Sequence, residues 1–303
     1  MSAEQRLIVI DWGTSNFRAF LVDRQSGACL ESRRSEAGLK ALETAEFPHY
    51  CQAQVGDWHE GGRVPIYLAG MVGSKRGWSE APQLDLPVSG RDLAAHVVAA
   101  PGLENAWIVP GVKHVDDAHC DVMRGEEVQA FGALALEGNL DADCCLPGTH
   151  SKWARLRNNR MTTFTTLMTG ELYHAVRFHT LPGEPARDEA PFDEDAFRQG
   201  LARAQGEDGV LHALFEARSR HLYRGLAAEQ VGSFISGVLI GEEVRAMRVA
   251  RPDLERLLLI GAEALRRPYT LALEAAGLEV TPLDSDAATL AGLAVIAEHH
   301  SAQ

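Results

Sequence analysis

Short apolar runs closed by glycine or by a polar turn dominate the opening of this chain. Residues 7–10 form a β-branched run ending in Asp-Trp-Gly, the pattern of a buried strand. The turn Gly13-Thr14-Ser15-Asn16 leads to a second strand at 17–22, a polar turn at 23–27 and a third strand at 28–35. Residues 44–58 predict a helix. Residues 64–69 predict a strand that runs into Gly70-Met71-Val72-Gly73-Ser74. Past a loop with prolines at 82 and 87, residues 106–109 read as a strand closed by Pro-Gly. Residues 125–137 have helical spacing, with acids in the first turn where the helix dipole favours them.

The same motif then recurs. An apolar run at 144–146 ends in Pro147-Gly148-Thr149-His150-Ser151-Lys152, and strands follow at 153–156 and 161–164. Strand, Gly-Thr turn, strand thus occurs at 7–22 and again at 144–156, with Gly13 and Gly148 about half a chain apart. The remainder is helix-rich. A Pro-rich, acidic loop at 183–195 precedes helices at 197–204, 210–218 and 227–248. A strand at 257–260 ends in Gly261-Ala262, and a helix at 269–276 is closed by Gly277. A strand at 279–282 and a helix at 287–298 complete the pattern. The expectation is an α/β protein of two duplicated domains, 1–142 and 143–303, with the last helix free to pack back on the first.

Composition narrows the function. The chain has 303 residues, 46% hydrophobic and 23% charged, ordinary for a globular protein of two domains. Its formal net charge of −13 argues against nucleic acid or an anionic membrane as partner, and confines anion binding to a local pocket. The five cysteines include an adjacent pair and no CxxC, so they predict free thiols in a cytoplasmic protein rather than a disulfide framework or zinc site. The N-terminus lacks a signal-peptide pattern, and no apolar run approaches the roughly 20 residues of a membrane helix.

The two Gly-Thr turns carry candidate chemistry. Gly13 admits close backbone approach, and the N–H groups and hydroxyls of Thr14, Ser15 and Asn16 suit phosphate oxygens. Asp11, at a strand end, suits Mg²⁺ held through a water; the plainer reading is a hairpin turn. Gly148, Thr149, His150 and Ser151 offer the same chemistry, with Lys152 as a cation. Neither turn is a Walker A loop, and no GxGxxG follows a strand. Two phosphate loops, one per half, point to a nucleotide held between duplicated domains. Gly261 and Ala262 end a strand against which an adenine ring can lie. Asp121, Glu126 and Glu127 stand at a helix start, where an acid can serve as base toward a hydroxyl; as dipole-favoured acids they need no such role, a reading that suits Glu127 better than Glu126. Arg124 can clamp a carboxylate, or be a solvated charge. Ser74 and Trp78 suit a pocket rim, although Trp78 can equally cap a core.

In order along the chain, DWGTSNFRAFLVD, AGMVGSKRGWSEAP, PGV with DVMRGEEVQAFGAL, CLPGTHSKW, FTTLMTGEL and LIGAEAL resemble the 2-dehydro-3-deoxygalactonokinase family, from residue 8 to about 293. That family belongs to the sugar kinase, Hsp70 and actin superfamily. The resemblance therefore implies duplicated ribonuclease H-like (actin-like ATPase) domains with a nucleotide cleft between them. It also implies phosphorylation of the 6-hydroxyl of 2-dehydro-3-deoxy-D-galactonate by ATP with Mg²⁺, a step of galactonate catabolism. On that likeness Asp11 to Asn16 are the first phosphate motif, Gly148 to Lys152 the second, and Gly261 with Ala262 the adenosine motif. Glu126 is the favoured base, with Asp11 and Asp121 as rivals. Related kinases place an Asp beside the second phosphate loop, whereas CLPGTHSK has no acid, so His150 joins the candidates. The expected partners are a small-molecule sugar acid and ATP, with homodimer formation left open. Rival readings are a kinase for another sugar or sugar acid, an exopolyphosphatase-like hydrolase, and a sugar-sensing or filament-forming protein.

Overall fold

The computed structural model describes residues 2–301, which divide into two compact units. The first comprises Met1–Ala142, Ala154–Thr165 and Leu283–Gln303; the second comprises Asp143–Trp153 and Thr166–Pro282.

The first unit is built on β1 (Arg6–Trp12), β2 (Phe17–Asp23), β3 (Cys29–Ser35), β4 (Ile66–Ala69), β5 (Gln83–Asp85), β6 (Val98–Ala99), β7 (Ala106–Ile108), β8 (Gly111–Val115) and β9 (Cys120–Met123). Its main sheet has the order β3-β2-β1-β4-β7-β6, and β5-β8-β9 form a smaller sheet. β1 pairs antiparallel with β2 and parallel with β4. It is central and covered on both faces, so it reads as an unbroken apolar run rather than an alternating one. Helices α1 (Phe47–His59), α2 (Gly90–Ala95) and α3 (Glu126–Glu137) belong to this unit. The helix Ser285–Ser301 packs on α3 through a backbone-to-backbone approach that only glycine permits. A methyl group on Gly132 would lie 1.8 Å from the Ala288 carbonyl oxygen, and one on Gly292 would lie 2.0 Å from that of Val128. Trp12, Phe17, Phe47, Ile66, Leu68 and Trp78 form the unit's core.

A five-stranded sheet is formed by β10 (Ala142–Leu146), β11 (Ser151–Arg157), β12 (Arg160–Leu167), β13 (Arg256–Gly261) and β14 (Glu279–Asp284), in the order β12-β11-β10-β13-β14. That order repeats β3-β2-β1-β4-β7 of the first sheet, with β10 and β13 parallel as β1 and β4 are. The duplication expected from the two Gly-Thr turns is therefore present in the topology. Helices α4 (Thr169–His179), α5 (Glu194–Ala204), α6 (Gly209–Tyr223), α7 (Ala228–Ala250) and α8 (Glu263–Ala275) follow, and Ser285–Ser301 is α9. β11 starts at Ser151, two residues before the strand expected at 153–156, and α8 begins at Glu263 instead of 269 because it accommodates Pro268 in its interior. Among the described residues no helix is long and apolar enough to cross a membrane.

Candidate functional site

In the first unit the candidate residues gather at the end of β1. Asp11 is mostly buried and forms an ion pair with Arg18, which also bonds Asp286 at 2.8 Å; Arg34 holds the other oxygen of Asp286. Burial pushes the Asp11 carboxyl up, against the pull of Arg18. Only Asp11 Oδ2 is engaged; Oδ1 accepts no hydrogen bond among the described residues and faces Gly70. Gly70 has φ 95°, and a side chain there would meet the Trp12 carbonyl at 2.9 Å and Asp11 Oδ1 at 3.2 Å. Gly125, with φ 109°, backs onto Gly70, whose Cα a side chain on Gly125 would meet at 3.1 Å. These two glycines let the β4 end and the α3 start close around the Asp11 carboxylate.

The turn into α3 is fastened by Glu127, which is 1% exposed and accepts the Gly125 N–H with both oxygens at 2.8 and 2.7 Å. Burial, then the neighbouring Glu126 charge, pushes its carboxyl up to about 7. Glu126, the first residue of α3, is only partly buried. Asp121 lies before it on β9, facing His114 of β8 across the ladder. Arg124 is not the solvated charge that composition would allow. Its Nη2 donates to the Ala81 carbonyl at 2.8 Å, while Nη1 is buried against Gly73 with no partner among the described residues. The neighbouring Ser74 hydroxyl is likewise buried without a partner.

Trp78 is a correction. It is 5% exposed, stacks on Phe47 at 6.4 Å, meets Trp12 edge-on and donates to the Pro101 carbonyl, so it belongs to the core and not to a pocket rim. Thr14, Ser15 and Asn16, by contrast, are exposed on the hairpin turn and border an open recess with Lys40. The turn is propped from beneath, where Leu39 and Lys40 N–H groups donate to the Gly13 and Thr14 carbonyls.

The second unit assembles a loop, a helix start and a cavity. The loop Pro147–His150 lies against the first turn of α4: Glu171 N–H donates to the Thr149 carbonyl at 2.9 Å, and a side chain on Gly170 would meet the Gly148 carbonyl at 2.3 Å. His150 bonds Glu171 at 2.8 Å. Gly261 packs beside the Pro147 ring. A cavity of about 380 Å³ opens from this point, lined by Gly148, Thr169, Tyr173, Arg177, Ser236, Leu265 and Tyr269 among others. Ala186, Asp188, Ala190 and Phe192 of the Pro-rich loop also line it, so that segment is part of the cavity wall. Neither Gly13 nor Gly148 is forced by the fold, because a side chain on either would meet the protein no closer than 3.8 Å.

Two residues of the expected second phosphate loop turn inward. Ser151 is 0% exposed and Lys152 5%, because β11 has already begun. The Lys152 ammonium bonds the Thr166 hydroxyl at 2.8 Å. Ser151 donates to Glu243 of α7, which also accepts from Trp153 and Tyr269, each at 2.8 Å, and from Thr169. Burial pushes the Glu243 carboxyl up, and its four donors oppose that. Sequence reading missed this hub, as it missed Thr169, Tyr173 and Arg177. Acids inside the apolar stretch VLIGEEV are the signal from which Glu243 could have been suspected.

Residues 11–296 match the 2-keto-3-deoxy-galactonokinase family. The chain is 39% identical to the 2-dehydro-3-deoxygalactonokinase of Escherichia coli (strain K12), over 96% of this chain and 97% of that one. A solved structure from Sinorhizobium meliloti, ascribed the same activity, is 33% identical, covers 96% of this chain and 98% of its own, and superposes with a TM-score of 0.90. Component A of the (R)-2-hydroxyglutaryl-CoA dehydratase of Acidaminococcus fermentans, at 13% identity, shares the fold alone, with a TM-score of 0.55 over 97% of this chain and 98% of that one.

Proposed function

Because the chain belongs to the 2-keto-3-deoxy-galactonokinase family, we infer that it transfers the γ-phosphoryl group of ATP to the 6-hydroxyl of 2-dehydro-3-deoxy-D-galactonate. The observation that carries the nucleotide half of this reading is the cavity beside Gly148. Its volume of about 380 Å³ and its mix of aromatic, aliphatic and polar walls suit a nucleoside. The Thr169 and Gly170 N–H groups that open α4, beside the Gly148–Thr149 loop, suit the phosphates, since a helix N-terminus favours anions. That neither Gly13 nor Gly148 is required by the fold supports close approach of a ligand at both turns.

In-line phosphoryl transfer is mostly positioning and charge neutralisation. Asp11 suits a hydrated Mg²⁺, since Arg18 occupies one carboxylate oxygen and leaves Oδ1 available; the ion, when bound, neutralises phosphate charge. Arg124 and Ser74 hold the acid group of the substrate through the donors the protein leaves unused. Glu126 accepts the proton of the attacking hydroxyl, and Glu127 fixes the turn that presents it. His150, engaged with Glu171, is the weaker candidate for that role.

The test is ADP release from ATP and Mg²⁺ with 2-dehydro-3-deoxygalactonate, 2-dehydro-3-deoxygluconate, galactonate, galactose or no sugar. Release chiefly with the first is the expected result, with Glu126→Gln lowering kcat by about 10²–10⁴-fold. Release with another sugar discards the substrate, and release independent of any sugar discards the kinase.

A further inference from the structure

The tip of the β8–β9 hairpin holds three metal-ligating side chains that the kinase chemistry does not use. His114 is the penultimate residue of β8, Asp116 opens the turn and His119 closes it. His114 Nε2 lies 3.2 Å from Asp116 Oδ2, and His119 Nδ1 lies 3.3 Å from Asp116 Oδ1. All three ligand atoms fall within 4.8 Å of one another. The edge of a tetrahedron around an ion with bonds of about 2.0 Å is about 3.3 Å, close to the spacing each imidazole nitrogen keeps from its own Asp116 oxygen. The two imidazoles are stacked, with centroids 4.6 Å apart and planes 9° from parallel, so one ring must turn for the in-plane lone pairs of both to meet on a shared ion.

The surroundings orient these ligands. The far nitrogen of His114, Nδ1, faces the Thr163 hydroxyl at 3.5 Å, the place where an outer-shell partner sets ring orientation. Asp116 Oδ1 accepts the N–H groups of Ala118 and His119, each at 2.8 Å, which locks the carboxylate in the turn and leaves Oδ2 facing His114. Among the described residues this is the one such group of histidines and acids.

We propose that His114, Asp116 and His119 form a site for one divalent transition-metal ion, best matched by Zn²⁺, that clamps the tip of the β8–β9 hairpin. Two imidazoles and one carboxylate suit zinc, whereas magnesium prefers an octahedral all-oxygen shell. β9 runs directly into Arg124, so clamping the hairpin steadies the strand that delivers that guanidinium. The proposal is independent of the substrate assignment.

The test is calorimetric titration of full-length, tag-free protein with Zn²⁺, with Mg²⁺ titrated separately. Hydrogen exchange of residues 111–123 is followed with and without Zn²⁺. The expected result is one equivalent of Zn²⁺ bound, slower exchange in the hairpin, and binding weakened by about 100-fold or more in His114→Ala/His119→Ala and in Asp116→Asn. Zinc binding that survives both variants, or that leaves hairpin exchange unchanged, overturns the proposal. So does the absence of zinc binding to a wild-type protein whose circular dichroism and melting are those of a folded chain.

Discussion

Replacing Glu127 by Gln should change how stability depends on pH. The carboxyl is 1% exposed, and burial raises it from the ordinary 4.5 to about 7. A raised acid binds its proton more tightly in the folded state than in the unfolded one. Folding is therefore unaffected by this group below 4.5, loses stability as pH climbs from 4.5 to about 7, and keeps that deficit above. The gap between the two values corresponds to about 3 kcal/mol, of which about 2.5 kcal/mol falls between pH 5 and pH 8. Glutamine still accepts the Gly125 N–H but carries no charge at either pH. Any fixed cost of the substitution cancels when the two pH values are compared. Urea denaturation of both proteins at pH 5 and pH 8 should show Glu127→Gln gaining about 2.5 kcal/mol on the wild type between them. A variant-minus-wild-type difference that stays constant with pH would refute the reasoning, and with it the claim that Glu127 is a buried carboxyl rather than an exposed helix-start acid.

Glu243→Ala leaves four donors, from Ser151, Trp153, Thr169 and Tyr269, without their acceptor. A loss of about 3–5 kcal/mol in denaturant unfolding is expected, together with a raised KM for ATP because Thr169 and Tyr269 line the cavity. A loss below about 1 kcal/mol would show that the hub is not formed. Gly132→Ala forces α3 and α9 apart, since the new methyl meets backbone and not a yielding side chain. It should lower stability by about 1–3 kcal/mol or more, read as a drop in melting temperature, and an unchanged melt would argue against the crossing.

The duplicated sheets were legible because a buried strand leaves a local trace: a short β-branched run, a glycine turn, another run. That trace appears at 7–22 and at 144–156, and the strand orders repeat accordingly. What escaped depends on partners remote in sequence. Trp78 follows a glycine-rich segment just as a rim residue would, and only its stacking on Phe47 and its bond to Pro101 place it in the core. Ser151 looks like a loop hydroxyl until Glu243 claims it. Pro268 reads as a helix stop, yet α8 runs through it. The donors around Glu243 come from β11, α4 and α8, so no local pattern announces them.

The packing of α9 on α3 also has a bearing on synthesis. The first unit takes in residues up to Ala142, the segment Ala154–Thr165, and a last piece beginning at Leu283. At about 5–20 residues per second, a nascent chain that has finished α3 waits on the order of ten seconds for its covering helix. Through that interval the face of α3 around Val128 and Gly132 lacks its covering helix while the second unit emerges. The ribosome therefore delivers all of Thr166–Pro282 before Ser285–Ser301, and it is the appearance of that helix, rather than of Ala142, that sets the moment at which the earlier unit can close.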